Sequence, residues 1–335
     1  MRRGGRCAAI DTPLPPDLTA RFTADLARLW RGGTGEARLG VAVSGGADSL
    51  GLLLLAQAAL PGRVEAATVD HGLRPESVGE AGFVAGVCDR LGVPHCTLRV
   101  TLAQGNRQEQ ARHARYGALA GWCAERGLAA LATAHHADDQ AETLLMRLNR
   151  GSGLVGLAGV RSRTSLRGVT VLRPLLGWRR TALAGLVTGA GLRGVEDPSN
   201  TDSRFDRTRI RAALGQADWL DPEALGRSAA LLGEAAAFLD ETIATMRCER
   251  VRGEGAALIL DPPGSDFAAG ELARLLIREL GGGDARRSET AALVARLRRG
   301  QNASLGGVLV RAAGAQWLFA CEPQRNTSSS RPSTG

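Results

Sequence analysis

The chain has 335 residues, of which 44% are hydrophobic, and 42 basic side chains against 34 acidic ones leave a net charge of +8. That length suits one large domain and a smaller one. No apolar run is long enough to span a membrane, and the start, MRRGGRCAAIDTPLPPDL, breaks on an acid and prolines, so neither a span nor a secretory signal is expected.

Every basic residue is an arginine, because the chain contains no lysine. A genome rich in G and C accounts for that exchange. Whatever its origin, it excludes a Walker-type phosphate loop, which needs Gly-Lys-Ser/Thr, and any Schiff-base lysine. The six cysteines, Cys7, Cys88, Cys96, Cys123, Cys248 and Cys321, include no C-x-x-C pair, which fits a reduced, cytoplasmic chain.

After a flexible N-terminus (1–16), short apolar runs alternate with longer helical stretches. Strands are expected at 38–44, 63–70, 94–100, 128–135 and 168–174, with crossover helices at 49–60, 76–91, 106–126 and 137–149. The fold class is α/β, with a doubly wound, mainly parallel sheet over 17–215 whose ligands bind beyond the carboxyl ends of the strands. Residues 176–215 read as a helix and then a polar, arginine-rich connection. From 216 an apolar stripe at helical spacing opens a second, α+β module reaching 323, with strand-like AALILDPP, helical ELARLLIREL and SETAALVARLRR, and a final strand pair. The tail 324–335 is polar and expected to be disordered.

The stretch VAVSGGADSLGLLLLA (41–56) stands between the first strand and the first crossover helix. There, backbone amides at a helix N-terminus point toward an anion. Gly45 and Gly46 let the chain approach a phosphate, Ser44 and Ser49 add hydroxyl donors, and Asp48 can face a magnesium ion sharing the phosphate charge. A glycine pair alone would merely join a strand to a helix. The full S-G-G-x-D-S string resembles the signature of the N-type ATP pyrophosphatases, which split ATP into AMP and pyrophosphate and use the adenylate to activate an oxygen.

VDHGLRPES (69–77) closes the second strand and TAHHADDQAETLLMRLNRGSGLVGLAG (133–159) the fourth. Singly, each has a plain reading: Asp70 caps a turn, and His135 and His136 are a metal pair or polar loop residues. Adjacent histidines do not readily ligate one zinc, and a third ligand at standard spacing is missing. Asp138, Asp139 and Glu142 suit the first turn of a helix with or without chemistry.

Taken together, S-G-G-x-D-S, D-H-G-L-R, A-R-x-x-R-Y (111–116), H-H-x-D-D-Q-x-E-T, R-G-S-G-L-x-G-L, R-P-L-L and D-P-S-N (197–200) resemble the tRNA(Ile)-lysidine synthetase family in order and spacing, over about 38–211. One departure is Thr208, where that family carries asparagine. The resemblance implies an ATP-dependent ligase that adenylates carbon 2's oxygen on the wobble cytidine of a CAU anticodon. The ε-amine of free lysine then attacks, giving lysidine, AMP and pyrophosphate. A lysine side chain has a reference pKa near 10.4, so only about a few in ten thousand are unprotonated at pH 7, and the site must desolvate the amine or offer a base.

Carried over residue by residue, the resemblance implies Ser44, Gly45, Gly46, Ala47, Asp48 and Ser49 for ATP phosphates, with Asp48 on magnesium. Asp70, His71 and His135 lie near the nucleotide. Arg112 and Asp138 join Asp48 as catalytic residues, with Arg112 and Arg115 as counter-charges for phosphate or the adenylate; Asp138, Asp139 and Glu142 are candidate bases that the sequence does not rank, and Arg115, Arg150, Arg207 and Arg211 are expected to contact tRNA. Independently, residues 147–211 hold thirteen arginines against four acids, a density that suits a phosphate backbone as well as a solvated surface. The competing readings are a cytidine thiolase, which would bring C-x-x-C pairs, an amide-forming synthetase, and a non-catalytic tRNA-binding protein. Whether the chain forms a homodimer is left open.

Overall fold

The computed structural model describes residues 14–33, 35–70, 72, 76–100, 107–195 and 206–322, without the side chains of 76–78 and 107–109. His71 and the D-P-S-N string therefore lie outside the described residues, as do the first thirteen residues and the tail from 323. The chain divides into two compact units, Met1–Glu234 and Ala235–Gly335. That division falls inside a long helix and not at the residue 216 expected from composition.

In the first unit, strands β1 (Leu39–Ala42), β2 (Val64–Asp70), β3 (His95–Arg99), β4 (Ala130–Ala132), β5 (Arg163–Leu166) and β6 (Val169–Leu172) form one sheet ordered β3-β2-β1-β4-β6-β5. All pairs are parallel except β5–β6. The sequence reading did not include β5. Its residues alternate between exposed and half-buried, so this polar edge strand carries little apolar signal. It turns into β6 through Arg167 and Gly168 at φ +48° and +82°, the two left-handed residues of a tight hairpin.

Around the sheet lie α1 (Pro16–Leu29), α2 (Ala47–Ala59), α3 (Glu76–Leu91), α4 (Arg107–Arg126), α5 (Ala137–Asn149), α6 (Leu154–Leu157), α7 (Arg180–Gly189) and α8 (Asp206–Gln216). Helix α2 is apolar on all sides, and Ser49 through Ala56 are all buried. It is wedged between β1 and β2 on one side and α1 and α7 on the other, so its middle, from Ser49 to Ala56, is shielded from water. Each fully buried leucine there contributes roughly 1.5–3 kcal/mol of burial, which anchors the turn that precedes the helix. Helix α8 replaces the irregular connection expected before 215, because its arginines find carboxylates to pack against.

Strand order reverses between β1 and β4, the switch point at which an open parallel sheet leaves a crevice at its carboxyl edge. The loop after β1 and the N-terminus of α5, which follows β4, share that crevice. The long helix α9 (Pro222–Arg250) begins in this unit, and Gly226 sits where a Cβ would lie 3.9 Å from the Cβ atoms of Ala137 and Gln140 on α5.

The second unit holds β7 (Val251–Glu254), β8 (Ala257–Leu260), α10 (Asp266–Glu279), α11 (Arg287–Arg298), β9 (Ala303–Leu305), β10 (Val308–Ala313) and β11 (Gln316–Cys321). Its sheet, ordered β7-β8-β11-β10-β9, is antiparallel throughout. Leu260, Val308, Val310, Trp317 and Phe319 join Leu272, Leu276, Ile277, Leu293 and Leu297 of the two helices in one core.

Candidate active site

The loop from Ser44 to Ser49 is held by its own hydroxyls. Ser49 Oγ accepts from the Ser44 amide at 3.1 Å and donates to the Gly46 carbonyl at 2.9 Å, and the two serine hydroxyls lie 3.2 Å apart. Gly45 adopts φ +92°, which side chains rarely tolerate, and Gly46 caps α2 with no side chain of its own. From the far side, the Val195 amide donates to the Gly45 carbonyl at 2.9 Å. Gly194 packs on the same turn, so closely that a Cβ there would lie 2.4 Å from the Ala47 amide nitrogen at the start of α2.

Asp48, in the first turn of α2, has one oxygen engaged and one stranded. Oδ2 lies 3.4 Å from Nε2 of His136, while Oδ1 is buried without a hydrogen-bond partner. A buried carboxylate oxygen with nothing to bind is the kind of orphaned acceptor that a hard cation would satisfy. Among the described residues no group of three or more His, Cys, Asp or Glu could hold a metal by itself.

His136, only 2% exposed, is the N-cap of α5. Its Nδ1 accepts from the Asp139 amide at 3.3 Å while Asp139 Oδ2 accepts from the His136 amide at 3.1 Å, a reciprocal capping box. Burial pulls this imidazole down, but the contact with Asp48 and the charges of Asp139 and Asp138 outweigh it and raise its pKa above the ordinary value. His135, one residue earlier, goes the other way. Burial is the largest cause of a fall to about 4; the Asp139 charge resists it, and the guanidinium groups of Arg173, Arg115 and Arg112 add to it. His135 is therefore neutral at pH 7, with Nδ1 3.1 Å from the Thr133 hydroxyl.

Arg112 and Arg115 stand on α4 with their guanidinium carbons each 5.3 Å from the centre of the Tyr116 ring. Burial pushes that phenol up, and the charges of Arg115, Arg173 and Arg112 more than cancel it, so its pKa is lowered. Arg173, at the end of β6, is 6% exposed and donates to the Arg161 carbonyl at 2.7 Å and the Thr164 hydroxyl at 3.1 Å. The charges of these three arginines thus act together on Tyr116 and on His135.

The carboxylates of α5 hold neighbouring elements. Asp138 Oδ2 accepts from the Arg180 amide at 2.8 Å, capping α7, and its Oδ1 lies 3.5 Å from Arg179. Glu142, 2% exposed, accepts from Arg207 at 2.9 Å and from Arg211 at 2.6 and 3.3 Å. Arg207 also lies 3.7 Å from Asp139, and Arg150 binds Asp206 at 2.8 Å. Arg150, Arg207 and Arg211, expected at a tRNA surface, are each engaged with a carboxylate. Thr208 lies between the two arginines that grip Glu142. Asp70 is buried at the end of β2, where its Oδ1 accepts from the Gly72 amide at 2.9 Å, the turn-capping geometry of the plain reading.

Sequence reasoning weighed His136 only with His135, as a metal pair or polar loop residues, and did not single out Arg173 or Val195. His136 had a readable signal, since a polar residue followed three positions later by an acid at a helix start is a capping pattern. Arg173 and Val195 had none, because their roles depend on strands and turns distant in the chain.

Residues 18–218 match the family of PP-loop domains. A tRNA(Ile)-lysidine synthase from Novosphingobium aromaticivorans is 46% identical over 316 residues, covering 92% of this chain and 95% of that protein. One from Zymomonas mobilis is 40% identical over 299 residues, covering 86% and 89%. Among solved structures, a U34-tRNA thiolase from Methanococcus maripaludis shares the fold with a TM-score of 0.55 and 16% identity, over 65% of this chain and 78% of that one. At such identity and coverage, the chain belongs to the tRNA(Ile)-lysidine synthase family, and its first unit carries the PP-loop domain that this family uses.

Proposed function

We propose that this chain is an ATP-dependent ligase that converts the wobble cytidine of isoleucine tRNA to lysidine. The observation that carries the substrate is the 46% identity across 95% of a tRNA(Ile)-lysidine synthase. The chemistry is supported by the glycine loop at the switch point, where ATP binds in PP-loop proteins. Among the described residues no helix is long and apolar enough to cross a membrane.

In this reading Ser44, Gly45, Gly46, Ala47 and Ser49 cradle the phosphates of ATP. Asp48 holds magnesium, which when bound neutralises part of the triphosphate charge. Asp70, His71 and His135 border the nucleotide, and a neutral His135 offers a hydrogen bond without repelling the nearby arginines. Arg112 stabilises the charge that develops on the adenylate, and Arg115 faces the tRNA.

A cytosine carbonyl oxygen leaves poorly until it carries an adenylyl group, after which the ε-amine of free lysine displaces AMP. Of the candidate bases, Glu142 is pinned by two guanidinium groups. Asp138 and Asp139 each keep an Oδ1 that faces a single guanidinium at longer range, Arg179 at 3.5 Å and Arg207 at 3.7 Å, and Asp138 takes the amine proton in this proposal. With Arg150, Arg207 and Arg211 engaged by carboxylates, their contribution to tRNA binding comes through the exposed parts of their guanidinium groups.

The test uses purified protein, ATP with magnesium, labelled lysine and total tRNA. Label enters isoleucine tRNA and is lost in Asp48→Ala. ATP–pyrophosphate exchange that persists while no lysine is incorporated would refute the reading.

A further inference from the structure

We propose that His136 is a positioning residue for Asp48: its imidazole holds Oδ2, so that Oδ1 is presented as a single, directed ligand to the divalent cation that accompanies ATP. The proposal rests on the reading of this crevice as the ATP site and extends it to the residue that lies against Asp48 Oδ2.

One contact holds the imidazole and two hold the backbone that carries it. Its own amide donates to Asp139 Oδ2 at 3.1 Å, its Nδ1 accepts the Asp139 amide at 3.3 Å, and the next amide, that of Ala137, donates to the Trp178 carbonyl at 2.9 Å. Trp178 is itself tied down, its indole N–H donating to Asp25 on α1 at 2.9 Å. Because Nδ1 accepts, the neutral ring carries its proton on Nε2, and Nε2 faces Asp48 Oδ2 at 3.4 Å. The other Asp48 oxygen is the buried one without a partner.

One oxygen occupied and one stranded is the arrangement expected when a neighbouring group orients a metal-binding carboxylate from behind, a kind of support whose loss costs about 10–100-fold in metal affinity. The arrangement also explains why a histidine caps α5, where serine or aspartate would serve as well for capping alone. Only a side chain with a second nitrogen, farther out, both caps the helix and reaches across the switch point to α2.

The two nitrogens allow the roles to be separated. Asparagine places a polar atom where Nδ1 stands and keeps the cap; glutamine reaches to the position of Nε2 and keeps the contact with Asp48. Binding of labelled ATP to the full chain is measured by equilibrium dialysis, with magnesium and with EDTA, beside a melting curve. In His136→Asn, affinity in magnesium falls about tenfold, while affinity in EDTA and the melting temperature stay at wild-type values. His136→Gln stays within about threefold of wild type in magnesium.

Wild-type affinity in magnesium for the asparagine variant would overturn the proposal, as would parallel losses in magnesium and EDTA for both variants. In an Asp48→Asn background, His136→Gln or His136→Asn should change the magnesium dependence no further; an additional tenfold loss there also refutes it. If the asparagine variant does not fold, the glutamine variant with and without Asp48→Asn carries the test. Wild-type protein that binds ATP equally well in magnesium and in EDTA would sink the assignment of Asp48 to magnesium, and this proposal with it. Equal affinities of wild type and His136→Asn in magnesium would sink only the role of His136.

Discussion

Glu142→Gln tests whether the arginines that follow the undescribed 196–205 segment act through this carboxylate. Glu142 is almost wholly buried and accepts three guanidinium hydrogen bonds of 2.9, 2.6 and 3.3 Å from Arg207 and Arg211. Removing one partner of a fully buried pair costs about 3–5 kcal/mol. Here the arginine side chains are 45% and 31% exposed and recover part of their hydration, so about 2–3 kcal/mol is expected. For a unit of this size each kcal/mol moves the midpoint by about 2–4 °C, giving a fall of about 5–10 °C. The assay is a circular-dichroism melt at low and high salt, with ATP–pyrophosphate exchange at 25 °C on the same samples. Burial makes the loss nearly independent of salt up to about 0.5 M, unlike a surface pair. A midpoint within a degree of wild type would refute the reasoning, because it would mean that α8 is not held to α5 through Glu142.

The pH dependence of stability carries a second signature. His135 titrates at about 4 in the folded chain against 6.5 for its ordinary value, so between those values the unfolded state binds more protons and stability falls as pH falls. His135→Gln should therefore remove up to about 3 kcal/mol of the acid-side loss between pH 6.5 and 4, measured by urea titration at several pH values; an unchanged slope would count against a neutral His135. Arg167 occupies a left-handed backbone position at φ +48°, and Arg167→Asn should raise stability by about 0.5–1 kcal/mol, read as a small increase in the urea midpoint. Arg112→Ala should lower kcat for lysidine formation by about a hundredfold, with little change in the KM for ATP, if its charge acts on the adenylate; a loss confined to KM would move it to ground-state binding. Affinity for tRNA should fall with log salt, by about 0.7–0.9 of slope per phosphate contact, and Arg211→Ala should lower that slope by less than one full contact, since its guanidinium is shared with Glu142.

Local patterning in the amino-acid sequence was enough to locate the five parallel strands and the crossover helices α2 to α5, but not α1, α6, β5 or α8. Helices α3 and α5 occupy the very ranges expected, Glu76–Leu91 and Ala137–Asn149, because apolar periodicity and a polar start are written in neighbouring residues. The glycine loop was legible for the same reason: backbone freedom at Gly45 and the serine hydroxyls around it are properties of six consecutive residues. The sequence also determined the absence of a lysine-dependent phosphate loop, which follows from composition alone.

Only the tertiary structure decided which charges remain available. Arg150, Arg207 and Arg211 read as free cations along the chain, but folding brings Asp206 and Glu142 against them from 56, 65 and 69 positions away. His135 and His136 are neighbours of one type, yet one faces three arginines and the other three carboxylates, so their proton affinities move in opposite directions. The motif marked Asp48 as a candidate metal ligand. That one of its oxygens is held from behind and the other left bare depends on β1 and β4 lying side by side, a pairing that the field and the packing of the whole sheet create and that no local stretch of sequence contains.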